Sequence, residues 1–377
     1  MASNHETMTP KSRILSGIFG GRVDRFPVGS TMSLATHEQM DKLGVGFPEA
    51  HYEPEAMAKL ASASYEIIGM DTIKVPFSVW NLSSSLGTTM NWGSRNKWPD
   101  GVPIFRDPEE VKIPKDFLSR PGTSGVLEAI KILKKKYPDV AIIGTVMGPL
   151  TQCFNLVGVE NVMLMIATQP DKIKRFLEKF IDPVVEYANA QVDAGIDALD
   201  YADHATGGLI SAETYKEFIM PMHKRIVKEI KTPCVLHICG NTLDRLEYII
   251  ESGFPCFNID TWVDAFHAKR VAKNRISLWG GISNINSLLQ GTPEDVKRDA
   301  YYAMDAGFEV IGIECSVPVQ APDKNLMAIV EAVKEYPTIH SPQDHIREFA
   351  KGLARSFMDE EHDFFKDLVN ELATSVK

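Results

Sequence analysis

The chain has 377 residues, with 40 Lys+Arg against 50 Asp+Glu and a formal charge of −10. A composition that is 44% hydrophobic and 24% charged belongs to a globular protein with a substantial core, which excludes a disordered or fibrous chain. The acidic balance argues against nucleic-acid binding, which usually leaves a basic patch. No apolar run reaches the ~18–20 residues of a membrane span, and the polar start Met1–Arg13 lacks a signal-peptide core, so a cytoplasmic protein is expected. Five cysteines are too few for a disulfide framework and suit a reducing compartment.

Taken in chain order, short runs rich in Val, Ile and aromatics read as strands buried on both faces. They fall at Phe26–Gly29, Thr72–Val75, Ala141–Thr145, Ala198–Tyr201, Cys234–Ile238, Cys256–Ile259, Ile276–Trp279 and Val310–Glu314. Segments with helical spacing lie between them, among them Val126–Lys136, Pro170–Ala194, Ala212–Ile230, Thr242–Ser252 and Pro293–Ala306. Ser211 before Ala212-Glu213-Thr214, and Thr292-Pro293-Glu294-Asp295, supply N-caps, a first-turn proline and first-turn acids. The strand-then-helix units number eight, which predicts an α/β fold, a (β/α)8 TIM barrel with a parallel sheet.

Two regions fall outside this count. Residues 76–125 show little periodicity but hold Phe77, Trp80, Trp92, Trp98 and Phe105, and so long a loop after the second strand is expected to be functional. Beyond Pro342, Ile346, Phe349, Leu353 and Phe357 form one stripe, followed by Phe364, Phe365 and Leu368. This predicts a barrel domain over residues 1–340 and a helical extension over 341–377 that packs on the barrel or on another subunit.

The stretch with the most chemistry is Val235-Leu236-His237-Ile238-Cys239-Gly240, at the end of the fifth expected strand, where active-site loops of a barrel begin. His237 and Cys239 are two apart, so in extended backbone they point the same way. Cys315 ends the eighth strand on the same rim. Two thiolates and an imidazole suit zinc and leave a fourth tetrahedral position for substrate, as in a catalytic zinc site. Asp260, ending the sixth strand, is a candidate for that position at rest. Cys153, Cys234 and Cys256 are assigned to packing.

His237-x-Cys239 with Cys315 resembles the zinc motif of the corrinoid-dependent methyltransferases in the uroporphyrinogen decarboxylase superfamily, whose best-known members are the methylcobamide:coenzyme M methyltransferases. The resemblance spans roughly residues 8–336. It takes in Lys11-Ser12-Arg13, Val23-Asp24-Arg25-Phe26-Pro27-Val28, Gly148-Pro149, Tyr187-Ala188-Asn189-Ala190, His237-Ile238-Cys239-Gly240-Asn241 and Gly253-Phe254. It implies the same barrel, zinc (Zn2+) as cofactor, methyl exchange with a corrinoid, and at Asp260 an acid able to ligate zinc when substrate is absent. True uroporphyrinogen decarboxylases hold substrate carboxylates with an Arg-rich segment after the first strand. Here Gly29-Ser30-Thr31-Met32-Ser33-Leu34 has no arginine, which speaks against decarboxylation.

Zinc serves either direction of methyl transfer: it activates a thiol that takes the methyl from cobalt, or polarises a methyl ether that gives it up. The aromatics of the insertion favour the second, with a methoxylated aromatic as substrate and O-demethylation as the activity. Transfer to coenzyme M is the alternative, because its sulfonate calls for a cation that the insertion does not evidently supply. A uroporphyrinogen decarboxylase and a non-catalytic zinc-bearing barrel are the remaining readings. Asp260 and Asp203 are the catalytic candidates, Asp203 as a group orienting substrate or a ligand imidazole. Trp80, Trp92, Met147 and Asn284 are the substrate-contact candidates, and His204 sits on a rim loop. Glu314 is expected to point away from Cys315. No nucleotide fingerprint and no cobalamin-binding motif are present, so the corrinoid is expected on a separate partner protein docked over the rim. A homo-oligomer is compatible with the sequence.

Overall fold

The computed structural model describes residues 6–339, and the expected extension at 341–377 lies outside the described residues. Eight parallel strands form the central sheet: β1 (Val28–Gly29), β2 (Thr72–Lys74), β3 (Ala141–Met147), β4 (Ala198–Ala202), β5 (Cys234–Ile238), β6 (Cys256–Ile259), β7 (Ser277–Ile282) and β8 (Val310–Ile313). They run in the order β1-β8-β7-β6-β5-β4-β3-β2. The ring comes back on itself where the Asp71 N–H donates to the Val28 carbonyl (2.7 Å) and the Ser30 N–H to Thr72 Oγ1 (3.0 Å). The nearly closed (β/α)8 barrel is therefore the one expected. β5 and β6 have the expected limits, and the other strands shift at their ends, where pairing with a neighbour decides the boundary.

The helices Pro170–Ala194 and Pro293–Ala306 also have their expected limits, the latter with Thr292 and Asp295 forming a capping box. The stretch Ala212–Ile230 is not one regular helix. It changes to a π-helical turn at Tyr215–Ile219 before Met220–Glu229, because Pro221 has no N–H to continue the ladder. Thr242–Ser252 likewise opens as a 3-10 turn, broken at Arg245, whose buried guanidinium donates to the Ala205 and Ile210 carbonyls. The insertion after β2 holds a short helix, Asn81–Ser85, and a hairpin pairing Met90–Asn91 with Asp100–Gly101. Its last part belongs to the helix Pro121–Lys136, which begins before the expected Val126. No single helix among the described residues is long and apolar enough to cross a membrane.

One hydrophobic core lies between the sheet and the surrounding helices, and a second fills the barrel. The second consists of Ala141, Ile143, Ala198, Val235, Cys256, Trp279 and Val310, closed at the N-terminal mouth by Ile14 and Ile18 of the helix Pro10–Ile18. Trp279 is fully buried across the interior, its indole N–H donating to the Gly29 carbonyl (3.2 Å). A Cβ at Gly312 would lie 2.4 Å from the indole nitrogen and 2.2 Å from the Gly29 oxygen, so glycine there is what admits the tryptophan. Cys153, Cys234 and Cys256 are buried in these two cores.

Beneath the barrel, Arg13 bridges Asp24 (2.6 Å) and Asp71 (2.8 Å), and Arg25 also meets Asp71 (2.8 Å). Lys11-Ser12-Arg13 and Val23-Asp24-Arg25 thus serve to anchor the N-terminal plug to β2.

Candidate metal centre

Side chains alternate along a strand, so the inward set Ala141 and Ile143, Ala198, Val235 and Cys256 continues toward the C-terminal rim as Thr145, Asp200, His237 and Asn258. Cys239 is the next inward position after His237. Gly240 then takes φ +75°, a left-handed turn that carries the chain off the strand. Cys315 follows the end of β8 on the same rim.

These three residues converge. His237 Nε2 is 3.0 Å from Cys239 Sγ, and Cys239 Sγ is 3.5 Å from Cys315 Sγ. Among the described residues they are the His/Cys/Asp/Glu group whose candidate ligand atoms all lie within 4.8 Å of one another. The sulfur separation is too long for a disulfide at ~2.05 Å. It is close to the ~3.7 Å edge of a tetrahedron with Zn–S bonds of ~2.3 Å, so the donor set fits zinc in both chemistry and spacing. His237 is buried, while Cys239 and Cys315 are half-buried and face the open rim.

Burial opposes a proton on His237, but Cys315 and Asp200 beside it outweigh burial and raise it to about 9. Contact with Cys239, and then burial, push the Cys315 thiol up. A dication held between these atoms reverses both tendencies and favours thiolates and a neutral imidazole.

The other site residues expected from sequence lie around this group. Asp260 is buried with both carboxylate oxygens engaged, accepting from the Gly240 N–H (2.8 Å) and the Trp262 N–H (3.0 Å). It supports the turn after Cys239 and is not one of the three clustered residues. The buried Asp203 accepts from the Thr151 N–H and hydroxyl (both 2.8 Å) and lies 3.3 Å from His223 Nε2, so its oxygens bind neighbouring helices. His204 rests on the same Thr151 hydroxyl through its own N–H (2.9 Å). Asn284 ties two rim loops, its amide donating to the Ser316 carbonyl (2.8 Å). Glu314 accepts from the N–H groups of Thr261 and Asn284 (both 2.8 Å), turned to the loops after β6 and β7. Met147 ends β3 at the inward position above Thr145, 5% exposed.

The aromatics of the insertion pack on the loop after β1. Trp92 lies 5.5 Å from Tyr52 and 6.4 Å from His51, Trp98 lies 6.2 Å from His51, and Phe47 stacks on His51 at 4.1 Å. Trp80 is covered by the hairpin, within contact of Gly101. The ring contacts of Phe77, Trp92 and Trp98 are thus with Phe47, His51 and Tyr52.

Sequence reasoning passed over Lys74 and Asp200, which lie inside strands read as buried on both faces. Both are buried, at 6% and 0% exposed. The Lys74 ammonium donates to the Pro76 carbonyl. Burial lowers Lys74 to about 8, with Asp200 and Cys315 pulling it back, and burial raises Asp200 to about 7 against the influence of His237 and Lys74. Both Asp200 oxygens, Thr145 Oγ1, Asn258 Oδ1 and His237 Nδ1 are buried without a well-formed hydrogen bond among the described residues, although Thr145 still acts on Asp200 and Asn258 on His237 as weak polar neighbours. Such a concentration in one layer marks a site, since buried polar groups are otherwise paired. Among the described residues His51 is unpartnered at both ring nitrogens, and burial followed by the Lys74 charge lowers it to about 3, leaving a neutral imidazole. The signal available in the sequence was a charge at an inward position of a doubly buried strand.

A sequence-family profile described as uroporphyrinogen decarboxylase (URO-D) matches residues 9–336. The chain is 35% identical over 356 residues to a methylated-thiol–coenzyme M methyltransferase of Methanosarcina mazei, covering 93% of this chain and 97% of the relative. It is 34% identical over 333 residues to the methylcobamide:CoM methyltransferase MtaA of Methanosarcina barkeri, covering 87% and 98%. A solved structure described as a methyltransferase from Methanosarcina mazei superposes with a TM-score of 0.85 at 33% identity, over 88% of this chain and 99% of that one. Barrel, profile and relatives agree: the chain belongs to the uroporphyrinogen decarboxylase family.

Proposed function

We propose that this chain is a zinc-dependent methyltransferase that passes a methyl group from the corrinoid of a separate protein to coenzyme M or a closely related thiol. The observation that carries the reading is the close approach of His237, Cys239 and Cys315 at the open rim of the barrel. It is supported by relatives whose names specify coenzyme M and methylcobamide.

When bound, zinc supplies Lewis acidity that makes a substrate thiol a thiolate near neutral pH. His237, Cys239 and Cys315 would hold it. Asp260 fixes the turn that presents Cys239, and Glu314 and Asn284 fix the loops beside Cys315. In the transfer itself an S–CH3 bond forms and the Co–CH3 bond breaks, its electron pair staying on cobalt, which goes from Co(III) to Co(I). Little acid–base work falls to the protein, which accords with Asp203 being committed to Thr151 and His223.

The thiol reading displaces O-demethylation. The argument for a methoxylated ring rested on Trp80, Trp92 and Trp98 with Phe77, Met90 and Met147 as apolar area, whereas the names of the relatives specify coenzyme M. A buried cation suited to a sulfonate is present in β2, as Lys74. The test is a transfer assay with the zinc-loaded chain and methylcobalamin as methyl donor. Loss of the methylcobalamin spectrum on adding 2-mercaptoethanesulfonate, with formation of its methyl thioether, is expected. Methylation of cob(I)alamin by a methoxylated aromatic, with no thiol activity, would restore the rejected reading.

A further inference from the structure

We infer that Lys74 selects thiols with an anionic end group, its buried ammonium receiving that group inside the barrel beneath the metal ligands. The inference rests on the thiol reading above and adds to it the residue that distinguishes a charged thiol from a neutral one.

The direction of approach comes first. An eight-stranded barrel has an interior just wide enough for side chains or a small ligand, so a corrinoid ring must come from the rim. A sulfur held at Cys239 and Cys315 must meet its methyl donor from that side. The remainder of the thiol then points away from the donor, into the barrel. What it meets there is the polar layer over the apolar plug: Thr145, Asp200, His237 and Asn258 on β3 to β6, with Lys74 at the end of β2.

Lys74 supplies the positive charge. An ammonium has three donors, and among the described residues one is used, on the Pro76 carbonyl. Asp200 provides the counter-charge that makes a buried lysine tolerable, as an isolated one would be strongly penalised. Among the described residues no ion pair joins Asp200 to Lys74, so it does not hold the ammonium by direct contact. Lys74 pairs in register with Ile143 of β3, the inward residue just before Thr145, which puts its side chain on the inner wall of the barrel below the ligands. His51, on which the Lys74 charge acts, is a neutral imidazole with both nitrogens unpartnered among the described residues, and one of them is a donor. Phe47, stacked on His51 and 5.3 Å from Phe77, backs this end of the site with apolar surface.

The experiment compares 2-mercaptoethanesulfonate with 2-mercaptoethanol, both with methylcobalamin, in the zinc-loaded full-length wild type, Lys74→Met and Lys74→Arg. A charge-assisted hydrogen bond lost to the anionic thiol alone should raise its KM about 10- to 100-fold in Lys74→Met. The KM for 2-mercaptoethanol and the zinc content should stay within about two-fold, and Lys74→Arg should recover part of the discrimination. Calorimetric binding of ethanesulfonate, which has no thiol, gives a second readout independent of turnover and is expected in the wild type only. Equal losses for both thiols in Lys74→Met, or ethanesulfonate failing to bind the wild type, would overturn the assignment of Lys74 while leaving the thiol reading in place. Wild type that demethylates methylcobalamin with neither thiol would instead overturn the thiol reading, and the substrate role of Lys74 with it.

Discussion

The same strands carry two unlike layers inside the barrel. At the N-terminal end the inward side chains are Ala141, Ile143, Ala198, Val235, Cys256, Trp279 and Val310; one step further along they are Thr145, Asp200, His237 and Asn258, with Lys74 beside them. Backbone geometry is shared, so the difference lies entirely in side chains. The lower layer removes apolar area from water, at about 25 cal/mol per Å². The upper layer buries charge and unpartnered polar atoms, which costs stability unless a ligand or metal meets them. The comparison teaches that height along the barrel axis separates residues that hold the fold from residues that do the chemistry. Substitutions at the two heights should therefore have opposite signatures.

The largest effect should come from the upper layer. Cys315→Ala or Cys239→Ala should reduce bound zinc from about one per chain to a small fraction and lower methyl transfer by on the order of 10³ or more. The melting temperature should move by only about 2 °C, because a site at loop ends adds little to the core. Metal analysis beside calorimetry checks this, and unaltered zinc content in both variants would break the comparison.

In the lower layer the signature inverts. Trp279→Ala removes a fully buried side chain from the middle of the plug and should cost about 3–5 kcal/mol in a denaturant titration. Zinc per folded chain should be unchanged. A variant of normal stability but low zinc content would show that the layers are not separable.

Acid sensitivity should arise below the plug. The Arg13 guanidinium holds the Asp24 carboxyl well below the usual carboxylate range. A depressed folded-state value means that Asp24 stabilises the native state above its unfolded value of about 4 and loses that contribution as pH falls further. Asp24→Asn should cost about 1 kcal/mol near neutrality, since solvent screens this exposed residue, and the gap from wild type should narrow below about pH 4. A gap constant with pH would contradict the pairing as the cause.

The smallest effect is expected in the insertion. Trp92 is half-buried against Tyr52 and His51, so Trp92→Ala should cost about 1 kcal/mol and leave the thiol KM within about two-fold. A rise matching that of Lys74→Met would move the hairpin into the substrate site.

Much of this was legible beforehand because a parallel barrel writes itself into sequence as short apolar runs separated by helical periods. Cys234–Ile238 and Cys256–Ile259 were readable to the residue. The metal group was legible because a spacing of two on a strand places His237 and Cys239 on one side, and because Cys315 ends another strand. Three features were not. Lys74 and Asp200 sit in runs whose apolar neighbours dominate the pattern, and only knowledge of which positions face inward exposes them. The aromatics of the insertion carry no periodicity, so their partners, His51 and Tyr52 in the loop after β1, could not be read from spacing. The break at Tyr215–Ile219 follows from one missing N–H at Pro221, a local event inside a regular pattern.

The central claim is that substrate sulfur joins His237, Cys239 and Cys315 at one zinc. Zinc X-ray absorption on the full chain, before and after adding 2-mercaptoethanesulfonate, tests it most directly. The account predicts two sulfur neighbours at ~2.3 Å in the resting protein and three with the thiol bound. A sulfur count unchanged by saturating thiol would contradict it.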